Sequence, residues 1–268
     1  MLPELFRLTG RVAVVSGAAR GLGRAMALAF AEAGADLVLA DRDADGARAT
    51  ADRAAARSRR AVPAACDGGD PAAVRGLFRR VDADFGRVDV LANVAGEGVL
   101  GRPEELTVEQ VEESLRNLVV GRFVACQEAG RRMLAAGRGS IVNIGSLASI
   151  TAMGRGHVAY SMAMGAVAQM TRELSTEWAA RGVRVNAVLP AQVLNPGLAR
   201  RMADDPTLEA AFLRGIPAGR LGRPEDVQGL ALFLASDASA WVTGALIPMD
   251  GGNLASNAGA THGRPPAR

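Results

Sequence analysis

One feature restricts this chain more than any other: short β-branched or apolar runs alternate with alanine-rich segments of helical period. The runs are RVAVVSG, ADLVLAD, AVPAAC, VDVLANVAG, SIVNIGS, VRVNAVLP and GALIPMD. Between them the periodicity predicts helices over 20–33, 43–57, 70–85, 107–136, 157–180 and 224–235. Parallel strands need a crossover, and a right-handed helical crossover covers one face of the sheet. The pattern therefore predicts an α/β fold, a Rossmann-type doubly wound parallel sheet with helices on both faces. No change of composition marks a second domain, so residues 1–254 read as one. Two segments break the rhythm. Residues 191–222, rich in proline and glycine with short apolar helices, stand where such a sheet opens its ligand crevice and are expected to form a substrate lid. Residues 255–268, small, polar and proline-containing, read as a disordered tail.

Composition narrows the function mainly by exclusion. The pI is near 9.6, yet the net charge is only +3. Arginine pairs such as Arg79–Arg80 and Arg131–Arg132 fall on separate predicted helices beside acids, which reads as solvated helix faces rather than a nucleic-acid surface. No run of eighteen apolar residues and no secretory leader pattern occurs, so no membrane partner is expected and the location reads as cytoplasmic. Cys66 and Cys126 stand far apart, without metal-ligand spacing or a disulfide framework. They read as small buried hydrophobes in a reduced compartment, and no metal site is predicted.

The first strand runs into SGAARGLGRAMALAF, with Gly17, Gly21 and Gly23 in a G-x-x-x-G-x-G spacing. Glycines let the backbone turn sharply and approach a pyrophosphate, whose charge meets the free N–H groups and positive dipole end of the following helix. Asp41 ends the second strand. A carboxylate there accepts hydrogen bonds from ribose hydroxyls and repels a 2′-phosphate, which predicts NAD(H) over NADP(H). Arg20 and Arg42 are the counterweight, since nearby guanidinium groups can hold a phosphate.

With these residues in place, the chain resembles the short-chain dehydrogenase/reductase family along nearly its whole length. LTGRVAVVSGAARGLG, NVAG from Asn93, VRVNAVLP, GRLGRPEDV and LFLASDASAWVTGALIPMDGG stand in that family's order. The resemblance implies a seven-stranded parallel sheet assembling as a homodimer or homotetramer. It also implies a dinucleotide held by Gly17, Arg20, Gly21, Leu22 and Gly23, with Asp41 and Arg42 at the ribose and Asp67 at the adenine edge. Asn93, Ala95 and Gly96 would run beside the cofactor, and Tyr160, Pro190 and Asn195 would meet its nicotinamide half.

In this family a tyrosine exchanges a proton with the substrate oxygen, a serine polarises that oxygen, and a lysine and an asparagine support the proton relay. Tyr160, the one tyrosine of the chain, matches the first. Ser146 matches the second, one residue further from the tyrosine than usual, with Ser149 as the fallback. The lysine position, four residues after the tyrosine, is Met164, and all 31 basic residues are arginines, so no lysine exists to replace it. Anchoring on Gly121 and Phe123 puts Leu118 at the asparagine position, with Asn117 one residue early. One residue rotates a helical side chain by about 100°, away from the same target. A thioether supplies no positive charge, so Tyr160 is expected to serve as a proton donor better than as a base, favouring carbonyl reduction. His157, one turn earlier, reads either as a second proton shuttle or as a solvent-facing loop histidine, and Arg155 as a more remote source of charge.

The leading expectation is an NAD(H)-dependent oxidoreductase acting on the carbonyl or alcohol of a small molecule with some apolar surface. The alternatives are a non-redox enzyme built on the same scaffold (a dehydratase, isomerase or cyclase) and a scaffold protein that keeps its cofactor pocket. Ser146, Tyr160 and the glycine loop favour chemistry; the missing lysine and displaced asparagine favour the alternatives.

Overall fold

The computed structural model describes residues 2–57 and 60–256. Seven strands form: β1 (Val12–Ser16), β2 (Asp36–Asp41), β3 (Ala61–Ala65), β4 (Val90–Asn93), β5 (Gly139–Ile144), β6 (Val183–Pro190) and β7 (Leu246–Met249). They make one parallel sheet in the order β3-β2-β1-β4-β5-β6-β7. The winding reverses between β1 and β4, and a crevice opens there beyond the carboxyl ends of the strands.

Helices α1 (Leu2–Leu5), α2 (Gly21–Glu32), α3 (Ala44–Ala55) and α4 (Pro71–Phe85) precede the crevice wall; α5 (Val108–Leu115), α6 (Gly121–Ala136) and α7 (Val158–Trp178) follow it. Then come α8 (Pro196–Asp204), α9 (Leu208–Arg214), α10 (Gln228–Ala235) and α11 (Asn253–Ser256). Successive strand residues face opposite sides of a sheet. Ala13 and Val15 of β1 accordingly join Met26 and Phe30 of α2 and Leu234 of α10 in one core, while Val12 and Val14 join Phe78 of α4 and Met133 of α6 in the other. Apolar strands with no polar face are what a sheet covered on both sides requires.

Local chemistry fixes the helix starts. Asp43 accepts from Gly46 N–H at the head of α3. Asp70 accepts from Ala72 N–H, with Pro71 at the first helical position of α4. Thr107 and Gln110 form a reciprocal capping box at α5.

Two expectations change, and the stretch read as a lid takes a definite form. The helix expected over 107–136 is interrupted: a π-helical stretch, Arg116–Val120, joins α5 to α6. The expected lid, 191–222, folds as α8 and α9 around a cluster of its own, Leu198, Phe212, Ile216 and Leu221. The expected tail begins too early, because Ala255 and Ser256 complete α11, where the Ser256 hydroxyl donates to the Gly215 carbonyl; the remainder of that stretch lies outside the described residues. No helix among the described residues is long and apolar enough to cross a membrane.

Candidate functional site

The crevice holds a cavity of about 530 Å³ running from Asp41 and Asp67 at one end to Gly96, Gly98 and Arg122 at the other. Its floor depends on missing side chains. A Cβ at Gly23 would lie 2.0 Å from the Gly17 carbonyl oxygen, and one at Gly17 would press on Ala95 at 3.1 Å. Gly17 and Gly21 have φ of +67° and +56°, in the left-handed region where glycine carries no Cβ penalty. The loop thus brings bare backbone to the head of α2, whose first N–H groups have no helical acceptor. Leu22 faces inward, packed against the core under the loop. A cradle that a single methyl would close, a helix N-terminus and an acid at the neighbouring strand end together fit a dinucleotide.

At the adenosine end the Asp41 carboxylate accepts from Ala19 N–H at 2.9 Å and from Asp43 N–H at 3.0 Å. It therefore ties the glycine loop to β2, and each oxygen keeps a lone pair toward the cavity. Asp67 accepts from Gly69 N–H and lines the same end. Arg20 and Arg42 converge on Glu97, at 3.9 and 3.1 Å. Glu97 is an acid that the sequence reading did not single out; in GEG it follows the strand-end motif directly. It gives both guanidinium groups a carboxylate partner across the cavity mouth.

Further in, Ser16 Oγ accepts from the N–H groups of Val94 and Ala95, and Asn93 donates to the Arg122 carbonyl at 3.0 Å. Asn93 is buried, a tie between β4 and α6 rather than an open donor. Gly96, at φ +131°, lets the chain pass over Asn117 and Leu118, which a Cβ would strike at 2.8 Å. Arg122 was also unforeseen. Buried at the base of the cavity, it donates through Nε to Ala95 O at 3.1 Å and through Nη2 to Val94 O at 3.0 Å, while Nη1 donates to Ile144 O. One planar fork gathers the ends of β4 and β5. Burial pulls its guanidinium down to about 10, against the opposing pull of Tyr160 and Cys126. Its signal was an arginine inside the otherwise apolar run LVVGRFVAC. Cys126 and Cys66 are buried as expected, with burial pushing their thiols up to about 12 and about 11. No cluster that could hold a metal ion occurs among the described residues.

Tyr160 sits in the first turn of α7 with its ring against Gly98, where a Cβ would lie 2.9 Å from the ring. Ser146 follows β5 and caps a single 3₁₀ turn: its Oγ accepts from Ala148 N–H, and Ser149 Oγ accepts from Ser146 N–H. The Ser149 hydroxyl is thereby turned back onto the strand end. Met164 and Leu118, each 1% exposed, pack together with Ala148, Ala163, Val167 and the Tyr160 ring. Asn117 faces elsewhere, its Oδ1 over Gly69 at the adenosine end. The π-helical stretch separates these neighbours, because its extra residue per turn redirects the side chains it carries. An apolar plug thus fills the space beside Tyr160 where the family resemblance places a lysine and an asparagine.

Pro190 ends β6, and Asn195 caps α8, accepting from Leu198 N–H at 2.9 Å and donating to Val193 O at 3.0 Å. Arg155 reaches away from Tyr160 to the lid, its guanidinium 5.0 Å from the Phe212 ring centre.

A family model described as enoyl-(acyl carrier protein) reductase matches residues 17–253. D-threitol dehydrogenase of Mycolicibacterium smegmatis is 42% identical over 252 residues, covering 92% of this chain and 94% of that protein. The NAD-dependent glycerol dehydrogenase of Listeria innocua is 36% identical, covering 92% and 95%. A gluconate 5-dehydrogenase from Burkholderia cenocepacia, solved in complex with NADP and tartrate, superposes with a TM-score of 0.87 at 31% identity, covering 95% and 99%. Motifs, sheet order and these likenesses agree along most of the chain, which belongs to the short-chain dehydrogenase/reductase family of oxidoreductases.

Proposed function

We propose that the protein is an NAD(H)-dependent oxidoreductase interconverting the alcohol and carbonyl of a small hydroxylated molecule. The observation that carries this reading is the glycine-floored crevice together with the Tyr160 ring packed on Gly98 of its lining. Gly17, Arg20, Gly21, Leu22 and Gly23 would hold the pyrophosphate, Asp41 and Arg42 the ribose, and Asp67 the adenine edge; Asn93, Ala95 and Gly96 would run beside the cofactor, and Tyr160, Pro190 and Asn195 would meet its nicotinamide half. The cofactor supplies the hydride chemistry when bound. Tyr160 gives or takes the proton at the substrate oxygen, and Ser146, whose hydroxyl hydrogen remains free while its oxygen accepts from Ala148, polarises that oxygen. Asp41 supports preference for NAD(H), and the pairing of Arg20 and Arg42 with Glu97 strengthens it, because a 2′-phosphate would enter beside two carboxylates. The apolar plug supports a bias toward reduction, since a phenol hydroxyl is a proton donor and Met164 and Leu118 offer it no polar partner. The names of the relatives favour a polyol or sugar acid, and the apolar lid cluster adds a substrate with some apolar surface.

Exposed Val108, Val120, Phe123 and Met162 on α5 to α7, together with a Trp241 side chain that is 100% exposed, support a homodimer or homotetramer. We read the location as cytoplasmic. One observation favours a second reading: the same plug suits a non-redox dehydratase, isomerase or cyclase that uses Tyr160 as acid and Ser146 as anchor. NADH absorbance with a panel of polyols and ketones, alongside mass detection of products, separates the two. NADH turnover supports the redox reading, and product without NADH consumption supports the other.

A further inference from the structure

The plug raises a physical question about the redox reading, on which this inference rests. Each turnover moves a proton through the Tyr160 oxygen, and the route past positions 118 and 164 is closed by Leu118, Met164, Ala163 and Val167. Hydrocarbon carries no proton. The ring also has a polar neighbour. His157, the residue that precedes α7, lies edge-on to Tyr160, with ring centres 6.0 Å apart.

The imidazole is held in one tautomer. Its Nδ1 lies 2.9 Å from the Arg155 carbonyl oxygen. A carbonyl only accepts, so Nδ1 carries the hydrogen, and in the neutral ring Nε2 keeps the lone pair. The backbone that offers this carbonyl is strained. Gly154, Arg155 and Gly156 have φ of +62°, +55° and +72°, and Arg155 is the one non-glycine residue with positive φ among the described residues. Such a conformation is unfavourable for a residue with a Cβ and persists where surrounding structure imposes it, often at functional sites. Here it aims a carbonyl at an imidazole beside the catalytic tyrosine. His157 does not cap α7 through its side chain, so capping does not explain it.

We propose that His157 relays the Tyr160 proton to solvent, through a single water spanning the gap between imidazole and phenol. In oxidation the phenol proton passes by way of that water to Nε2 and on to solvent, and the Tyr160 oxygen takes the hydroxyl proton of the substrate. Alcohol then yields carbonyl, one hydride and one proton; the hydride belongs to the cofactor chemistry and the proton to this path. Reduction runs the path backward. The charged groups on the elements around His157 are Arg155 on its own loop, Arg201 on α8 beside Arg155, Arg102 with its partner Glu105 on the segment paired through Gly101 to Gly156, and Arg122 near Tyr160. Glu105, the one carboxylate among these, is paired with Arg102.

The test compares wild type with His157→Gln and Tyr160→Phe. In His157→Gln the rate of alcohol oxidation should fall by about 10- to 100-fold relative to wild type, with added imidazole restoring it. A second readout needs no cofactor. The chain has a single tyrosine, so the tyrosine bands of its ultraviolet resonance Raman spectrum report the Tyr160 hydroxyl hydrogen bond alone, and they should shift in His157→Gln. An unchanged rate without imidazole rescue, or unshifted tyrosine bands, overturns the relay. Wild type that turns over no alcohol or ketone overturns the redox reading and the relay with it; Tyr160→Phe as active as wild type leaves the redox reading standing and overturns the relay.

Discussion

Met164→Lys probes the plug directly, and the structure sets the size of its effect. Met164 is 1% exposed among Leu118, Ala163, Val167 and Ala148, so a lysine there loses its hydration without gaining a partner. The stem replaces most of the methionine packing, which leaves the charge as the main cost. Burial that severe lowers a lysine's folded pKa, and the side chain can escape by losing its proton. Since an ordinary lysine titrates near ~10.4 and one unit is worth ~1.36 kcal/mol, the penalty at pH 7 is capped at about 4–5 kcal/mol. A penalty of that size lowers Tm by on the order of 10 °C for a chain of this length. The sign with pH follows: the unfolded lysine binds a proton that the folded one rejects, so the deficit is largest near neutrality and shrinks toward pH 10. Adding Leu118→Asn gives the ammonium a polar neighbour, and the pair should recover about 1–3 kcal/mol relative to the sum of the single changes. The assay is a double-mutant cycle in urea and thermal unfolding between pH 7 and 10, with and without NADH. Cofactor should stabilise the double variant more than wild type, because its ribose would offer the ammonium a hydrogen-bond acceptor. A fully stable Met164→Lys, or strict additivity with Leu118→Asn, would mean that these two side chains do not share the site, and the account of the plug would fail.

Asp41→Ser combined with Glu97→Gln should raise affinity for NADPH by about tenfold, ~1.4 kcal/mol, as read by equilibrium fluorescence; tighter NADPH than NADH binding in wild type refutes the reading of Asp41. Gly23→Ala should abolish NADH binding in the same titration, since its methyl would lie 2.0 Å from the Gly17 carbonyl oxygen. Arg122→Met leaves three carbonyl groups, one buried and two partly buried, without this donor and should destabilise the protein by about 2–4 kcal/mol, with Arg122→Lys recovering little because an ammonium cannot reproduce the fork. Trp241→Ser should lower the assembled mass measured by light scattering, and an unchanged mass would remove Trp241 from any subunit contact.

What the sequence determined by itself was everything written in local periodicity and short-range backbone chemistry. Strand and helix alternation specifies the doubly wound sheet because each parallel crossover must be helical and right-handed. Gly17, Gly21 and Gly23 announce the cradle because the first two take a left-handed backbone and the third leaves no room for a Cβ, and Asp41 announces its acid end by standing at a strand terminus. Met164 stood out for a similar reason, since the register from Tyr160 runs unbroken along one helix. The break at Arg116–Val120 was invisible, because a π-helical insertion depends on what the helix packs against, not on a propensity signal. Tertiary structure alone decided that Leu118 joins Met164 while Asn117 turns to Gly69, and that Arg122 gathers carbonyl groups from two strands. It also brought Glu97 between Arg20 and Arg42, and the Arg155 carbonyl to His157. These contacts join residues whose relative direction is set by packing and by rare backbone angles, and a linear pattern of residue types carries neither.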